Sequence, residues 1–349
     1  MRLEPKPAPS FAATLLYPLG AVAATLVFTS VLALLAGASP LDVFLLVAKG
    51  AAGSQFALME TLTRATPLIF TGLAIAVAFR AKLWNIGAEA QLYMGGVATV
   101  VLGTGALPLP APLLIPILMA ASMLAGALLL LGPAFLKTRF GVDEVVTTLL
   151  LNFIVLLFVS MLLEGPLKDP MGMGWPQSIK VLPEARLPRI ITGRRLHYGF
   201  VLAIVAAVIL WVVMKRTTLG YEMRAVGHNP EAARFAGIPV NSVLMKTALL
   251  SGGLAALGGF SEVTGLKGNL TSDLSANFGY TGIVVAMLAM LNPLGVVASA
   301  IFVAGIFVGA DSMSRAAGVP SYIADVMVAV ALLTMVTAIM LTRFRIRWR

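Results

Sequence analysis

Long apolar stretches separated by short polar breaks dominate the pattern of this chain. A helix needs about 20 mostly apolar residues to cross the hydrocarbon core of a bilayer, and most of the stretches are about that long. The pattern predicts an all-α, polytopic membrane protein with about ten transmembrane helices. The predicted spans are 14–36, 57–79, 86–103, 112–135, 143–163, 198–214, 244–264, 274–291, 294–310 and 321–342.

The eighth and ninth predicted spans share only 37 residues around Asn292 and Pro293. A re-entrant hairpin over 274–310 is therefore an alternative to two full crossings. Both ends of such a hairpin lie on one side of the membrane, so the sidedness of the other loops does not depend on the choice.

Composition indicates a surface that faces lipid. Hydrophobic residues make up 59% of the 349 and charged residues 11%, with a mean hydropathy of +0.95. A soluble domain has about 25% charged residues to cover its water-facing surface. The chain has no cysteine, which excludes disulfides, thiolate metal sites and cysteine nucleophiles. No cleavable signal peptide is expected, because the apolar stretch after residues 1–10 is too long for a signal core.

The net charge of +10 is better explained by cytoplasmic loops beside membrane lipid than by nucleic-acid binding. With the N-terminus inside, 14 Lys and Arg residues fall in inner segments and nine in outer ones, six of them in the external loop 164–197, an exception to the rule. We therefore predict both termini in the cytoplasm. They flank the transmembrane domain, 13–342, as the tail 1–12 and the basic tail 343–349, which lies at the anionic inner leaflet.

A weak internal repeat is typical of a two-lobed bundle. The stretch TGLAIA at 71–76 resembles TGIVVA at 281–286, and each is followed by an asparagine, Asn85 or Asn292, and a glycine-containing break. Both copies run from outside to inside in the predicted topology. Such repeats place transport pathways at the interface between halves, and chance similarity of apolar segments is the alternative.

The predicted cytoplasmic loop 215–243 contains the signals for one short, rigid helix. Asn229 is a good N-cap residue, and Pro230 suits the first helical position. Gly237 is placed to end the helix in a left-handed conformation, and Pro239 prevents its continuation. A capped helix with a small-residue face favours docking into a cleft of a partner, and an ordinary ordered loop is the alternative.

Three motifs resemble one family. The string GYEMRAVGHNPEAARFAGI at 220–238 resembles the coupling-helix signature of bacterial ABC importer permeases, in the branch for ribose-type sugars, branched-chain amino acids and nucleosides. The strings WNIGAEAQ at 84–91 and GVDEVVTTLLLN at 141–152 are similar to the same family. Together they are most similar to permeases of lipoprotein-linked nucleoside importers, over about residues 55–345. His228 departs from the pattern, in which Leu or Glu is common.

The resemblance implies a permease subunit in the bacterial cytoplasmic (inner) membrane, and not an enzyme. ATP and Mg²⁺ would be used by a partner ABC ATPase, since the chain contains no G-x-x-x-x-G-K-[ST] loop, and no cofactor is expected on this chain. The other implied partners are a second permease, identical or related, an extracytoplasmic substrate-binding protein or lipoprotein, and a small-molecule cargo. Nucleosides are the first expectation for the cargo, ahead of simple sugars and branched-chain amino acids. The expected ATPase-coupling residues are Gly220, Tyr221, Glu222, Arg224, Ala225, Val226, Gly227, Asn229, Pro230, Glu231, Ala232, Ala233, Phe235 and Gly237.

Polar side chains at membrane depth are costly, so each is a candidate for contact with cargo. Glu144, Thr148 and Asn152 are spaced to share one face of the predicted fifth span. Amides and carboxylates can hydrogen-bond ribose hydroxyls and base edges, and an aromatic ring can stack on a base. A structural role, such as acids at the start of a helix, is the alternative. The candidate pathway residues are Asn85, Glu89, Gln91, Glu144, Thr148, Asn152, Phe153 and Asn292.

Two other functions fit less well. An ion-coupled secondary transporter of a small polar solute would explain the repeat and the buried acids, but it has no use for a capped cytoplasmic helix. A membrane-embedded enzyme is disfavoured because the chain has only two histidines, His197 and His228, and no H-E-x-x-H spacing. We therefore expect neither catalytic residues nor a metal site.

Overall fold

The computed structural model describes residues 2–5, 11–35, 37, 39–317, 326, 329–330, 333–334, 336–338, 340–341 and 344–347. These residues form helices and one short antiparallel pair of strands, β1 (Arg2–Pro5) and β2 (Phe344–Arg347), from the two predicted tails. The helices are α1 Phe11–Leu35, α2 Pro40–Ala52, α3 Gln55–Arg80, α4 Ala88–Gly103, α5 Ala111–Phe140, α6 Glu144–Glu164, α7 Gly199–Arg216, α8 Thr218–His228, α9 Pro230–Phe235, α10 Val240–Ser261, α11 Phe278–Leu288 and α12 Pro293–Ala317. A π-helical turn, Glu262–Lys267, continues α10.

Six helices among the described residues are long and apolar enough to cross a membrane: α3, α5, α6, α7, α10 with its π-helical turn, and α12. A seventh span results if the sharply bent pair Ala23–Leu35 and Pro40–Ala52 is one crossing. The prediction of a multi-pass helical membrane protein is confirmed at this level. The six helices coincide with predicted spans.

The predicted count of about ten spans is not confirmed. α4 has 16 residues and α11 has 11, fewer than the roughly 20 that a full crossing needs. The segment 274–310 thus contains one short helix followed by the long helix α12. The predicted span 321–342 lies largely outside the described residues.

The chain divides into two compact units, residues 62–300 and the two flanking parts, 1–61 and 301–349. In the flanking unit α2 packs on the C-terminal half of α12. A Cβ atom at Gly50 would overlap Ser312, and one at Gly309 would overlap the carbonyl oxygen of Val47. Small residues therefore set the close approach of these two helices, as is common inside membranes.

The central unit is built around α4, which packs against α5, α6, α10 and α11. Twelve of its 16 residues are buried. Glycines allow α4 and α10 to touch backbone to backbone: a Cβ atom at Gly95 would overlap the carbonyl oxygen of Ala256, and one at Gly259 that of Leu92. α4 is therefore enclosed by protein along most of its length.

The connections between the helices of the central unit lie at its two ends. One end, which we name the coupling end, contains the α3–α4, α5–α6 and α11–α12 connections together with α8 and α9. Lys137 Nζ donates to the carbonyl oxygen of Lys82 (3.2 Å), and Arg80 Nη2 donates to that of Leu291 (2.7 Å). A Cβ atom at Gly227 of α8 would overlap the carbonyl oxygen of Arg80.

The loop 164–197 covers the other end of the unit, around the π-helical turn. The N–H of Leu187 donates to the carbonyl oxygen of Thr264 (3.0 Å). His197 is fully buried there, and its Nδ1 accepts the N–H of Gly199 (3.1 Å). Burial lowers the pKa of His197 to about 4, so its ring is neutral at physiological pH. The predicted external loop 164–197 and the predicted cytoplasmic loop 215–243 thus lie at opposite ends.

Candidate functional site: a capped helix beside a polar junction

The N-terminus of α9 is capped by its own sequence. The side-chain oxygen of Asn229 accepts the N–H groups of Glu231 (3.0 Å) and Ala232 (3.1 Å). These are two of the N–H groups that have no partner within a helix. Pro230 occupies the first helical position, where the missing N–H costs nothing. The predicted start of the helix is confirmed.

The C-terminus of α9 is closed in the same local manner. Gly237 adopts a left-handed backbone with φ of +82°. Its N–H donates to the carbonyl oxygen of Arg234 (3.0 Å), and the N–H of Ile238 donates to that of Ala233 (3.0 Å). This pair of bonds is a Schellman motif, so the predicted glycine stop is confirmed as well.

α9 presents nearly all of its surface to the outside. Phe235 is 97% exposed and Ala233 is 4% exposed, and the remaining residues of the helix are exposed. An aromatic ring beside small residues on a rigid support is the kind of anchor that interfaces use. The docking role of α9 stays a prediction.

α8 supports α9 and rests on two membrane helices. Gly227 faces the end of α3 so closely that only glycine fits, and Gly220 would likewise bring a Cβ atom within 2.6 Å of the Met214 Cα at the end of α7. The guanidinium of Arg224 donates to the carbonyl oxygen of Met214. α8 is therefore a firm connection between α9 and the ends of α3 and α7.

The predicted ATPase-coupling residues divide by exposure. The buried ones are Gly220, Val226, Gly227 and Ala233; the half-buried ones are Glu222, Arg224 and Ala225; the exposed ones are Tyr221, Asn229, Pro230, Glu231, Ala232, Phe235 and Gly237. The buried residues hold α8 and α9 to the bundle, and the exposed residues face away from it.

Side chains on one face of α6 form hydrogen bonds with the main chain around the α3–α4 connection. Glu144, Thr148 and Asn152 are buried on this face, as their spacing predicts. Each accepts a hydrogen bond from the main chain of residues 84–90, which include the end of the α3–α4 connection and the first turn of α4. The donors are the N–H groups of Trp84 (3.1 Å, to Glu144), Ile86 (3.2 Å, to Thr148) and Ala90 (2.9 Å, to Asn152). We name residues 80–91 and these three side chains the polar junction.

Asn152 and Glu144 extend the polar junction to further helices. The Asn152 amide donates to the carbonyl oxygen of Ile86 (3.0 Å) and to the hydroxyl of Tyr280 on α11 (2.9 Å). Glu144 forms an ion pair with Lys137 of α5. The buried side-chain amide of Asn152 thus has three hydrogen-bond partners: Ala90, Ile86 and Tyr280.

A pair of buried amides closes the turn before α4. Asn85 and Gln91 exchange two hydrogen bonds of 2.9 Å each. Asn85 also accepts the N–H of Gly87 (3.0 Å) and donates to the hydroxyl of Ser251 (3.0 Å). Ser251 in turn donates to the carbonyl oxygen of Ala74 (2.8 Å), which ties α10 to α3.

Glu89 is hydrogen-bonded to the start of α11. Its Oε2 atom accepts the N–H of Gly279 (2.6 Å), and a Cβ atom at Gly279 would overlap the backbone of Glu89. The hydroxyl of Thr71 donates to the carbonyl oxygen of Phe278 (2.9 Å). Because Thr71 meets the start of α11 and Arg80 meets its far end, the two repeat segments lie side by side and run in the same direction.

The predicted pathway residues are placed in two settings. Asn85, Glu89, Gln91, Glu144, Thr148 and Asn152 are buried and hydrogen-bonded within the polar junction and its neighbours. Phe153 is 58% exposed on α6, and Asn292 is exposed, with its side-chain oxygen accepting the N–H of Leu294 (3.1 Å) at the start of α12. Contact with cargo stays a prediction for all of them. Sequence reasoning gave no role in the junction to Arg80, Lys137, Ser251 and Tyr280, because no periodic signal marks their distant partners.

Residues 57–342 match a family described as the permease component of the branched-chain amino acid transport system. The chain belongs to this permease family. The resemblance predicted from the three motifs is confirmed.

Relatives with named cargo cover most of the chain. The glucose ABC transporter permease protein TsgB13 of Haloferax volcanii is 37% identical over 84% of this chain and 79% of its own length. The guanosine ABC transporter permease protein NupP of Bacillus subtilis is 35% identical over 91% of this chain and 92% of its own. The nucleoside ABC transporter permease protein NupB of Lactococcus lactis is 30% identical over 90% and 88%. No solved structure matches the chain.

Proposed function

We propose that this permease is the membrane-spanning subunit of an ATP-driven importer of nucleosides. The observation that carries the proposal is α9, a helix capped at both ends, almost fully exposed, and supported by a glycine that touches the end of α3. A protein that transports without a protein motor has no need for such a rod. Two relatives named for guanosine and nucleosides support the cargo.

The ATPase docks on α9, and Phe235 enters a cleft in it. Because α9 holds its shape through its own caps, a push from the ATPase moves the helix as one body, and α8 passes the movement to α3 and α7. ATP and Mg²⁺ bind to the ATPase and not to this chain. A second permease, identical or related, completes the path, and an extracytoplasmic binding protein or lipoprotein delivers the cargo.

The coupling end faces the cytoplasm in this proposal, with both termini inside a bacterial inner membrane. Since the chain has no cysteine, Glu231→Cys creates a single thiol on α9. A membrane-impermeant maleimide should label it in inverted vesicles and not in intact cells. Labelling from outside intact cells would contradict the docking role.

A sugar is the second candidate for the cargo, because TsgB13 is named for glucose and is 37% identical. The complex of this permease with its ATPase and binding protein decides between the two. We expect guanosine or adenosine to stimulate ATP hydrolysis and glucose to leave it unchanged. Stimulation by glucose alone would replace nucleosides with a sugar. Uptake by the purified chain alone, driven by a proton or sodium gradient, would instead establish a secondary transporter.

The docking role is tested with Phe235→Ala, which removes a ring that is 97% exposed and therefore leaves the fold intact. Loss of a central aromatic anchor costs about 2 kcal/mol or more, so the ATPase should bind at least about 30-fold more weakly. Phe140→Ala is the matched control, because Phe140 is an exposed ring at the same end. Equal binding by both variants would argue against α9 as the docking helix.

A further inference from the structure

Arg80 touches two different parts of the coupling end. Its carbonyl oxygen lies against Gly227 of α8, with no room for a Cβ atom between them. Its guanidinium Nη2 donates to the carbonyl oxygen of Leu291 (2.7 Å), in the connection between α11 and α12. One residue at the end of α3 therefore joins the helix that carries α9 to a connection more than 200 positions away in sequence.

The α11–α12 connection is strained. Met290 and Leu291 both have left-handed backbones, with φ of +51° and +59°. The N–H of Leu291 donates to the carbonyl oxygen of Ala286 (2.9 Å), and that of Met290 to Met287 (2.9 Å). This is the pattern of a Schellman motif, whose left-handed position is usually glycine. Here it is built from residues with a Cβ atom, for which a left-handed backbone is costly.

Strained left-handed residues persist only where the surrounding structure holds them, and they cluster at functional and switching sites. Arg80 supplies part of that hold, because its hydrogen bond fixes the carbonyl group of one of the two strained residues. The N-terminal start of α11 contacts the polar junction through Gly279 with Glu89 and through Tyr280 with Asn152. A change in the conformation of the α11–α12 connection would therefore shift α11 and, through these contacts, the candidate pathway residues Glu89 and Asn152.

We propose that Arg80 is a positioning residue of the transport cycle, which joins α8 to the strained α11–α12 connection so that movement of α8 changes the conformation of that connection. The proposal rests on the proposed function, because it requires α8 and α9 to move with an ATPase. A shift of α8 displaces the backbone of Arg80, since there is no gap at Gly227. The guanidinium then leaves the carbonyl group of Leu291, and Met290 and Leu291 can leave the left-handed region.

The first test compares Arg80→Ala with Arg139→Ala in the complete complex. Arg139 is an exposed arginine near the same end, at the end of α5. We expect Arg80→Ala to retain the bound ATPase and to lower transport at least tenfold, with hydrolysis no longer stimulated by cargo. Arg80→Lys keeps a donor without the forked geometry, so it should restore part of the transport. Arg139→Ala should behave as the unaltered complex.

A second pair of variants isolates the strain. Leu291→Gly and Leu291→Ala both remove the side chain beyond the Cβ atom, and only glycine also removes the Cβ atom and with it the cost of the left-handed backbone. If the connection must leave this conformation during transport, Leu291→Gly holds it there more firmly. Its transport rate should be lower than that of Leu291→Ala, by up to about tenfold, although its thermal unfolding temperature is the same or higher. Such a combination is not expected from a merely structural role.

Movement of the connection can be observed directly. In the cysteine-free chain, spin labels at the exposed positions Leu294 of α12 and Val146 of α6 report their separation. We expect ATP to change this distance in the otherwise unaltered complex and to leave it unchanged in Arg80→Ala.

Three results would overturn the proposal. They are normal transport by Arg80→Ala, equal transport by Leu291→Gly and Leu291→Ala, and a loss of ATPase binding by Arg80→Ala as large as that of Phe235→Ala. If Arg80→Ala does not fold, the Leu291 pair decides alone. If no ATPase binds the unaltered permease, the proposed function fails first, whatever the Arg80 variants do.

Discussion

α9 and the polar junction lie at the same end of the central unit but are held in opposite ways. The caps of α9 come from residues next to it in sequence, and Ala233 is its one buried residue. The junction is held by bonds between distant residues, such as Asn152 with Ala90, 62 positions apart, and Asn85 with Ser251, 166 apart. A locally capped helix can be displaced without losing its shape, whereas a cross-linked junction moves its helices together. In the proposed function, α9 receives the push of the ATPase and the polar junction distributes it.

The largest effect is expected at the centre of the junction, from Asn152→Ala. The substitution leaves the buried N–H of Ala90 and the carbonyl group of Ile86 without their partner. Unsatisfied buried groups cost about 1–3 kcal/mol each, so we expect a loss of about 3 kcal/mol, measured by thermal unfolding in detergent. Ser160→Ala is the control, because Ser160 donates only within its own helix, to Leu156. Equal losses in the two variants would mean that the junction bonds carry little stability.

A smaller loss is expected where α8 meets α3. Gly227→Ala places a methyl group onto the carbonyl oxygen of Arg80, and overpacking of this kind costs about 1–3 kcal/mol. Gly132→Ala is matched to it, since Gly132 is also helical but has open space around it. There alanine should be neutral or stabilising by up to about 1 kcal/mol. Thermal unfolding of the two variants should therefore shift in opposite directions or differ clearly in size.

The ion pair at the edge of the junction should contribute less again. Glu144→Gln keeps an acceptor for the N–H of Trp84 but loses the charge that faces Lys137. Because Lys137 is partly exposed to solvent, we expect a cost of about 1 kcal/mol, decreasing with added salt. Asp143→Asn is the neighbouring control, since asparagine caps a helix as well as aspartate does. A salt-independent loss would show that the charge is not the cause.

The smallest effect on the whole protein is expected from α9. Asn229→Ala removes the cap and costs about 1 kcal/mol of local helix stability, so amide hydrogen exchange should increase within residues 231–236. The temperature of global unfolding should not change, and Asn229→Ser should restore protection. If Asn229→Ala lowered global unfolding as much as Asn152→Ala does, the contrast between the two regions would be wrong.

The same contrast explains what could be predicted. Asn229, Pro230 and Gly237 act on their immediate neighbours, so both ends of α9 follow from the sequence. The shared face of Glu144, Thr148 and Asn152 follows from helical periodicity. Long apolar runs likewise predicted the six helices that are long enough to span.

The partners of those side chains could not be predicted, because they are set by tertiary packing. Nothing in the periodicity of α6 indicates that its acceptors meet the main chain of residues 84–90. α11 is shorter than its apolar run for a related reason. The helix ends before Met290 and Leu291, which have left-handed backbones although neither is glycine, the residue that usually marks such an end in a sequence. The role proposed for Arg80 depends on its contacts with Gly227 and Leu291, which only the fold brings together.

The enclosure of α4 has a consequence for how the protein is made. α4 has only 16 residues and carries Glu89 and Gln91 on its first turn. Its partitioning into lipid as a single segment, from a translocation channel that releases helices one at a time, is therefore unfavourable. Its neighbour α10 leaves the ribosome roughly 10–30 s later at ordinary rates of synthesis. During that interval α3, α5 and α6, or an insertion chaperone, must keep the polar residues of α4 out of contact with lipid. Nascent chains that stop before α10 should therefore be degraded faster than chains that include it.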